Sequence, residues 1–424
     1  MWNCGEQRSA GVPPAQTRSG ATRVRILLVS PFLPHPAAAH GGGVYLAALA
    51  AGLADRAELG LVSFATPRER ASGAAPPPSV QRSWLVERPE LQDLGRLPRF
   101  VHRMRMLSRW TLGGLPVVVA KFRSAAMERT LGTAVAEFRP DVALVEMDLM
   151  AQYLPVLRGL PTVLTDHEAG DPVPAAVGPA GLGLGRDRRL WDTYLEHSHR
   201  GATALQALNE VDAARLAGRL GRPVGVRPPL CPLPDAAVRV EDSPPRLLFL
   251  GDYRHGPNPE AARYVAREIL PRVRRDLGAA ELWLAGPHAT PEVQALAALP
   301  GVRVLGFVPD LAGLIGSARL LIAPVFSGGG SRIKVLTALA HGLPVVANEL
   351  ALRGVDAPPG AARRAGDAEG LAAATLDWLR DPAAAAEAGR AARRWAESAI
   401  SPAAVAARQL DAIEALLRGR AAAR

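Results

Sequence analysis

Aromatic residues make up only 5% of this 424-residue chain, and cysteine occurs just twice, at positions 4 and 231. Two thiols so far apart exclude a disulfide framework and a thiolate zinc site, and they point to a reducing compartment. No window offers the roughly 20 uncharged apolar residues that a membrane span needs. The first 22 residues contain no continuous apolar stretch of the signal-peptide kind. The expected location is therefore cytoplasmic, with any membrane association peripheral and on the cytoplasmic face. Zinc-finger, aromatic-rich RNA-binding and dense basic-arm signatures are absent too, so nucleic acid is not an expected partner. The net charge of +10 still suits anionic partners, which include phosphorylated ligands and acidic lipid surfaces.

Apolar residues, at 48%, are enough for two ordinary cores in a chain of this length. Residues 1–22 mix Gly, Pro, Ser, Thr and Gln without periodicity and read as a disordered N-terminal extension. Residues 23–225 read as a first α/β domain, with strands at Val24 to Val29, Leu61 to Phe64, Val142 to Val145 and Thr162 to Leu164. Its Pro/Ala/Ser-rich stretch 71–90 and glycine-rich stretch 177–187 read as surface loops. Proline-rich Gly221 to Pro245 reads as a connector. Residues 226–424 read as a second α/β domain. In it the short all-apolar runs Leu247 to Leu250, Leu282 to Ala285, Val302 to Leu305, Leu320 to Ala323 and Val345 to Ala347 alternate with helices, the pattern of a parallel sheet covered on both faces. The Ala/Arg-rich helical end is expected to pack back onto the first domain.

In doubly wound sheets, ligands bind beyond the carboxyl ends of the strands. After Ala323-Pro324 comes Val325-Phe326-Ser327-Gly328-Gly329-Gly330-Ser331-Arg332-Ile333-Lys334, a glycine run that opens a helix. Free N–H groups and the helix dipole attract anions there, and glycine lets the backbone approach a ligand closely. Arg332 and Lys334 place two cations where the dipole disfavours them, an arrangement that a bound diphosphate would neutralise. A bare strand-to-helix turn with solvated basic residues is the other reading. Lys334, Thr337 and His341 share one face of this helix, while Ile333, Leu336 and Ala340 form a face suited to the core. His167 follows an apolar run and stands between Asp166 and Glu168, a setting for hydrogen bonding or proton handling as well as for a structural role. Glu146 and Asp148 end another strand, where they would bind acceptor hydroxyls or cap a helix.

The segment Gly328 to Val346, together with Ile26 to Gly43, Asp141 to Glu146, Thr165 to Glu168, Gly251 to Asn258 and Gly306 to Leu311, resembles glycosyltransferase family 4. That resemblance implies a GT-B architecture of two Rossmann-like doubly wound domains facing each other across a cleft. It implies a hexosyltransferase that moves a sugar from a nucleotide-sugar donor to an acceptor hydroxyl with retention, in glycan, glycolipid or glycoconjugate synthesis. On the family pattern the donor is held by Gly42, Gly43, Arg254, Phe307, Val308, Gly329, Gly330, Ser331, Arg332, Lys334 and Thr337. His167 is the catalytic-site residue, and Glu146 and Asp148 face an acceptor that is a glycan, lipid-linked or a small molecule. Gly329 and Thr337 stand where many relatives carry two glutamates. The architecture requires no Asp-x-Asp pair, so neither a metal nor a cofactor is expected. A nucleotide-sugar epimerase and a non-catalytic sugar-nucleotide-binding protein are the alternatives.

Between Arg96 and Arg123 there are seven Lys/Arg residues and no acid, interleaved with Leu97, Phe100, Val101, Met104, Met106, Leu107 and Trp110. Such a segment either lies on an anionic membrane or packs its apolar side onto its own domain.

Overall fold

The computed structural model describes residues 23–35, 41–90, 93–167, 184–254, 256–327 and 332–422. The extension expected over 1–22 lies outside them. Two parallel sheets carry the architecture. The first contains β1 (Val24–Ser30), β2 (Ala57–Ala65), β3 (Arg82–Glu87), β4 (Val142–Glu146), β5 (Thr162–Asp166), β6 (Ala204–Ala207) and β7 (Gly225–Val226), in the order β3-β2-β1-β4-β5-β6-β7. The second contains β8 (Arg246–Leu250), β9 (Glu281–Ala285), β10 (Val302–Gly306), β11 (Leu320–Ala323), β12 (Val345–Ala347) and β13 (Ala362–Arg364), in the order β10-β9-β8-β11-β12-β13. Strand order reverses between β1 and β4 in one sheet and between β8 and β11 in the other. Crevices open at such reversals, beyond the carboxyl ends of the strands.

The central strands are continuous apolar runs because both of their faces are covered: Ile26, Leu27, Leu28 and Val29 are all buried, as are Leu320 to Ala323. Odd and even residues of β1 feed separate cores, Leu27 and Val29 on one face of the sheet, Ile26 and Leu28 on the other. The edge strands do not look like this. β3 lies inside the stretch 71–90 that reads as loop, and only its Val86 is buried, so its sequence lacks the apolar signature. It pairs with β2 from Gly60↔Arg82 to Ala65↔Glu87, and Trp84 Nε1 donates to Glu137 Oε2 at 3.2 Å. β7 straddles the boundary expected at 225/226. The stretch 177–187 likewise gives way to helix Leu184–Arg200 at its end.

Helix Pro402–Ala422 leaves the second lobe and covers the first. Its Val405, Ala406, Leu410 and Ile413 share a core with β1, β2 and helix Gly41–Leu53. At the helix crossing, a Cβ on Gly52 would stand 2.5 Å from the Pro402 carbonyl oxygen, so only glycine permits this approach. No helix among the described residues is long and apolar enough to cross a membrane.

Candidate active site

In the first lobe the parallel pairing Glu146↔Thr165 sets the end of β4 beside the end of β5, where His167 emerges. The His167 ring meets the Glu146 carboxylate, Nε2 to Oε2 3.1 Å. Arg227, just beyond β7, continues the ladder by donating its backbone N–H to the Ala207 carbonyl. Its guanidinium reaches Glu146 with both prongs, Nη1 to Oε1 2.7 Å and Nη2 to Oε2 2.6 Å. Both partners are almost wholly buried. Burial alone would raise the Glu146 pKa, but the Arg227 charge and the hydrogen bonds from His167 and Arg227 outweigh it and hold the carboxyl down at about 2. An ionised carboxylate only accepts, so His167 Nε2–H is the donor, and in the neutral ring Nδ1 keeps its lone pair.

Tyr45, in helix Gly41–Leu53, stands edge-on to the His167 ring at 5.7 Å and lies under the Arg227 guanidinium at 5.5 Å. Burial pushes its phenol up to about 12. Gly42 and Gly43 belong to the turn that precedes Tyr45, so the helix start is brought to the histidine. A Cβ on Gly42 would meet the Phe32 ring at 2.4 Å.

Glu146 and Asp148, expected to face an acceptor, are both buried and engaged with internal partners. Glu146 is spent on Arg227 and His167. Asp148 is buried with Asp166 against His199, whose Nε2 lies 3.1 Å from Asp166 Oδ2 and 3.6 Å from Asp148 Oδ1. Although burial lowers the His199 pKa, hydrogen bonds and charge from the two aspartates raise it to about 9. Burial and the neighbouring Asp166 raise that of Asp148. The three side chains offer ligand atoms within 4.8 Å of one another. The raised His199 pKa favours its charged form beside the two acids, and that charge offsets one of theirs.

In the second lobe the chain leaves β11 through Pro324 and Val325. Asn348 clamps Val325, accepting its N–H at 3.1 Å and donating to its carbonyl at 2.6 Å. Gly329, Gly330 and Ser331 lie outside the described residues. The helix that follows spans Ile333–Ala340, and its core face holds Leu336 and Ala340 as expected, whereas Ile333 is exposed. Lys334 turns inward. Its Nζ donates to Asn258 Oδ1 at 2.6 Å and stands 4.6 Å from the centre of the Phe249 ring, at the carboxyl end of β8. Asn258 is itself fixed by donating to the Asp252 carbonyl at 2.8 Å. Desolvation, with the Arg332 charge adding to it, pulls the Lys334 pKa down to about 8. The cation thus sits at the strand reversal between β8 and β11, bonded to a neutral amide.

Arg332 reaches toward the first lobe. It lines a small gap of about 10 Å³, room for a single water, together with His167, Asn209, Asp212, Pro229 and Arg353. Burial and Arg353 lower its pKa, while Asp212 acts in the opposite sense. A wider interlobe cavity of about 430 Å³ shares Asn209, Pro229 and Arg353 with this gap and runs behind Leu336.

The other sequence-selected residues are dispersed. Arg254 is exposed and paired with Asp252, Nη2 to Oδ2 2.8 Å, and the hydrogen bonds it donates hold that carboxyl down at about 2. Asp252 also meets His288 Nδ1 at 3.2 Å. Phe307 is exposed and Val308 half-buried, beyond the left-handed Gly306 that ends β10, two strands from β8. The Thr337 hydroxyl lies 3.9 Å from the Cys231 thiol in the connector. Sequence reasoning missed Arg227, His199 and Asn348. Arg227 sits in a proline-rich connector with no periodicity, and nothing there announces its partner 81 positions away.

The family model described as glycosyl transferases group 1 matches residues 244–381. No curated protein matches the chain. Sucrose-phosphate synthase from Thermosynechococcus elongatus superposes with a TM-score of 0.66 at 17% identity, covering 94% of this chain and 100% of that one. The Anabaena protein HepE in complex with UDP and glucose superposes at 0.62 with 14% identity, covering 93% and 100%. A glycosyltransferase from Rickettsia africae does so at 0.58 with 11% identity, covering 94% and 99%. The fold is GT-B: two doubly wound lobes facing each other across a cleft.

Proposed function

We propose that this GT-B chain, whose second lobe carries the glycosyl transferases group 1 match, transfers a hexosyl group from a nucleotide-sugar donor to an acceptor hydroxyl. The observation that carries the reading is Lys334, an inward-facing ammonium at the β8/β11 reversal whose hydrogen-bond partner is the neutral Asn258. Burying a charge is costly without compensation, and an incoming diphosphate supplies the missing opposite charge. Arg332, next to the same helix start, adds a second cation on the side facing His167.

In this reading the departing nucleoside diphosphate is stabilised by Lys334, Arg332 and the N–H groups of helix Ile333–Ala340. His167, oriented by Glu146, offers Nδ1 toward the gap as a hydrogen-bond acceptor for a hydroxyl of the transferred sugar or of the acceptor. Phe307 and Val308 border the base. The reaction retains anomeric configuration, requires no metal, and uses the cleft to align the acceptor on the departing face. The acceptor belongs to glycan, glycolipid or glycoconjugate synthesis.

Calorimetric titration with UDP-, GDP-, ADP- and dTDP-sugars tests the assignment. One of the four binds the native chain, and Lys334→Ala weakens it about 10- to 100-fold, the worth of a charge-assisted hydrogen bond, without changing the circular dichroism spectrum. Undiminished affinity in the variant sinks the phosphate site. Product analysis then separates transfer from 2-epimer formation and from binding without turnover.

A further inference from the structure

Helix Arg96–Thr111 is built inside out. Its inward side is pinned by polar bonds: Arg109 Nη1 donates to the Ala120 carbonyl at 3.0 Å, and Trp110 Nε1 donates to Asp187 Oδ1 at 3.1 Å. Arg99 donates to the Leu94 carbonyl at 3.1 Å on the same side. The opposite side carries Leu97, Phe100, Val101, Met104 and Leu107, which recur at helical spacing to form one stripe, and all five are exposed, Leu97 at 72% and Phe100 at 60%. Arg96 and Arg103 border this stripe on one flank and Arg105 on the other, all three exposed. Leu112, 87% exposed, extends the apolar surface past the helix end. No acidic residue occurs between positions 96 and 123.

We propose that this stripe seats the protein on an anionic lipid surface, with its apolar side chains in the acyl boundary and its flanking arginines on acidic headgroups. Charge selects the occupant. A second copy of the chain would set arginine against arginine across a two-fold axis, which like-charge repulsion disfavours. A bilayer rich in acidic headgroups meets the apolar centre and both cationic flanks together. The helix also has the right place. It follows β3 at the carboxyl edge of the first sheet, the edge from which His167 emerges, and Trp110 ties it to helix Leu184–Arg200. Docking here therefore holds the His167 lobe against the membrane. The docking does not depend on the sugar-transfer reading, although under that reading it makes the acceptor lipid-borne.

Vesicle co-sedimentation of the full chain tests this surface. The protein binds vesicles that contain phosphatidylglycerol, does not bind pure phosphatidylcholine, and is released by high salt. Replacing Arg96, Arg103 and Arg105 by Gln weakens binding about fivefold per arginine. Replacing Leu97, Phe100 and Met104 by Ser abolishes it. Both triple variants keep the native melting temperature and nucleotide-sugar affinity, which separates failure of the surface from failure of the donor site. Any of three results overturns the proposal: no binding of the native chain to acidic vesicles, equal binding to neutral ones, or variants that sediment as the native chain does. A native dimer that the serine variant converts to a monomer would instead assign the stripe to self-association and overturn it as well.

Discussion

Arg227 and Glu146, 81 positions apart, form a two-pronged buried ion pair at 2.6 and 2.7 Å, and the same carboxylate holds His167. Removing one partner strands the other charge away from water. Arg227→Met is expected to cost about 3–5 kcal/mol of folding stability, whereas adding Glu146→Leu restores much of it. Urea unfolding of the two single variants and the double variant measures this difference. A double variant less stable than Arg227→Met would contradict it.

His167 draws its orientation from Glu146, Nε2 to Oε2 3.1 Å. His167→Ala is expected to lower kcat by roughly 10²–10⁴, the range for a positioned proton-handling group. Donor affinity should change by less than about tenfold, since Arg332 and Lys334 lie on the other lobe. Turnover and calorimetry on the same preparation separate the two effects. A variant that loses donor binding and leaves kcat intact would move His167 from chemistry to recognition.

Lys334 has a folded-state pKa of about 8, below its ordinary 10.5, because burial disfavours the ammonium. In the free protein the charged form is strained. That strain is fully present below about 8 and is relieved as pH rises through the window from 8 to 10.5, so this group makes stability increase with pH there. Anion binding has the opposite sense, because it needs the ammonium. Donor affinity is expected to stay level below about pH 8 and to fall above it, and Lys334→Arg should flatten the fall. Titrations between pH 6.5 and 9.5 provide the check.

His199 behaves in the reverse way. Its pKa is raised from 6.5 to about 9 by Asp148 and Asp166, so the folded state holds a proton that the unfolded chain releases. The stability it contributes is complete below pH 6.5 and is lost as pH climbs toward 9. The raised Asp148 acts in the same direction. Between pH 6.5 and 8, below the Lys334 window, this cluster should remove about 1 kcal/mol per pH unit. His199→Gln should remove the histidine's share of the slope and leave that of Asp148, as followed by urea midpoints.

The central strands were readable because burial on both faces demands unbroken apolar runs, and β11 and β12 lie where their sequences place them. β3, β6, β7 and β13 were not recognised. They are short or lie toward the sheet edges, where half-polar residues suffice and alternation over two to six positions is too brief to register. Lys334 could be singled out from its position after a glycine run at a strand end, since that geometry follows from local sequence alone.

The amino-acid order by itself determined the central strands of the two parallel sheets and which helix start concentrates cations. Tertiary structure alone decided that Glu146 and Asp148 are internal ion-pair partners, that Arg227 reaches His167 through Glu146, and that the apolar stripe of helix Arg96–Thr111 faces outward. Each of these depends on contacts between groups tens of positions apart or on the side toward which a helix turns. Hydrophobic periodicity defines a helical face, but only the surrounding packing determines whether that face meets protein or solvent.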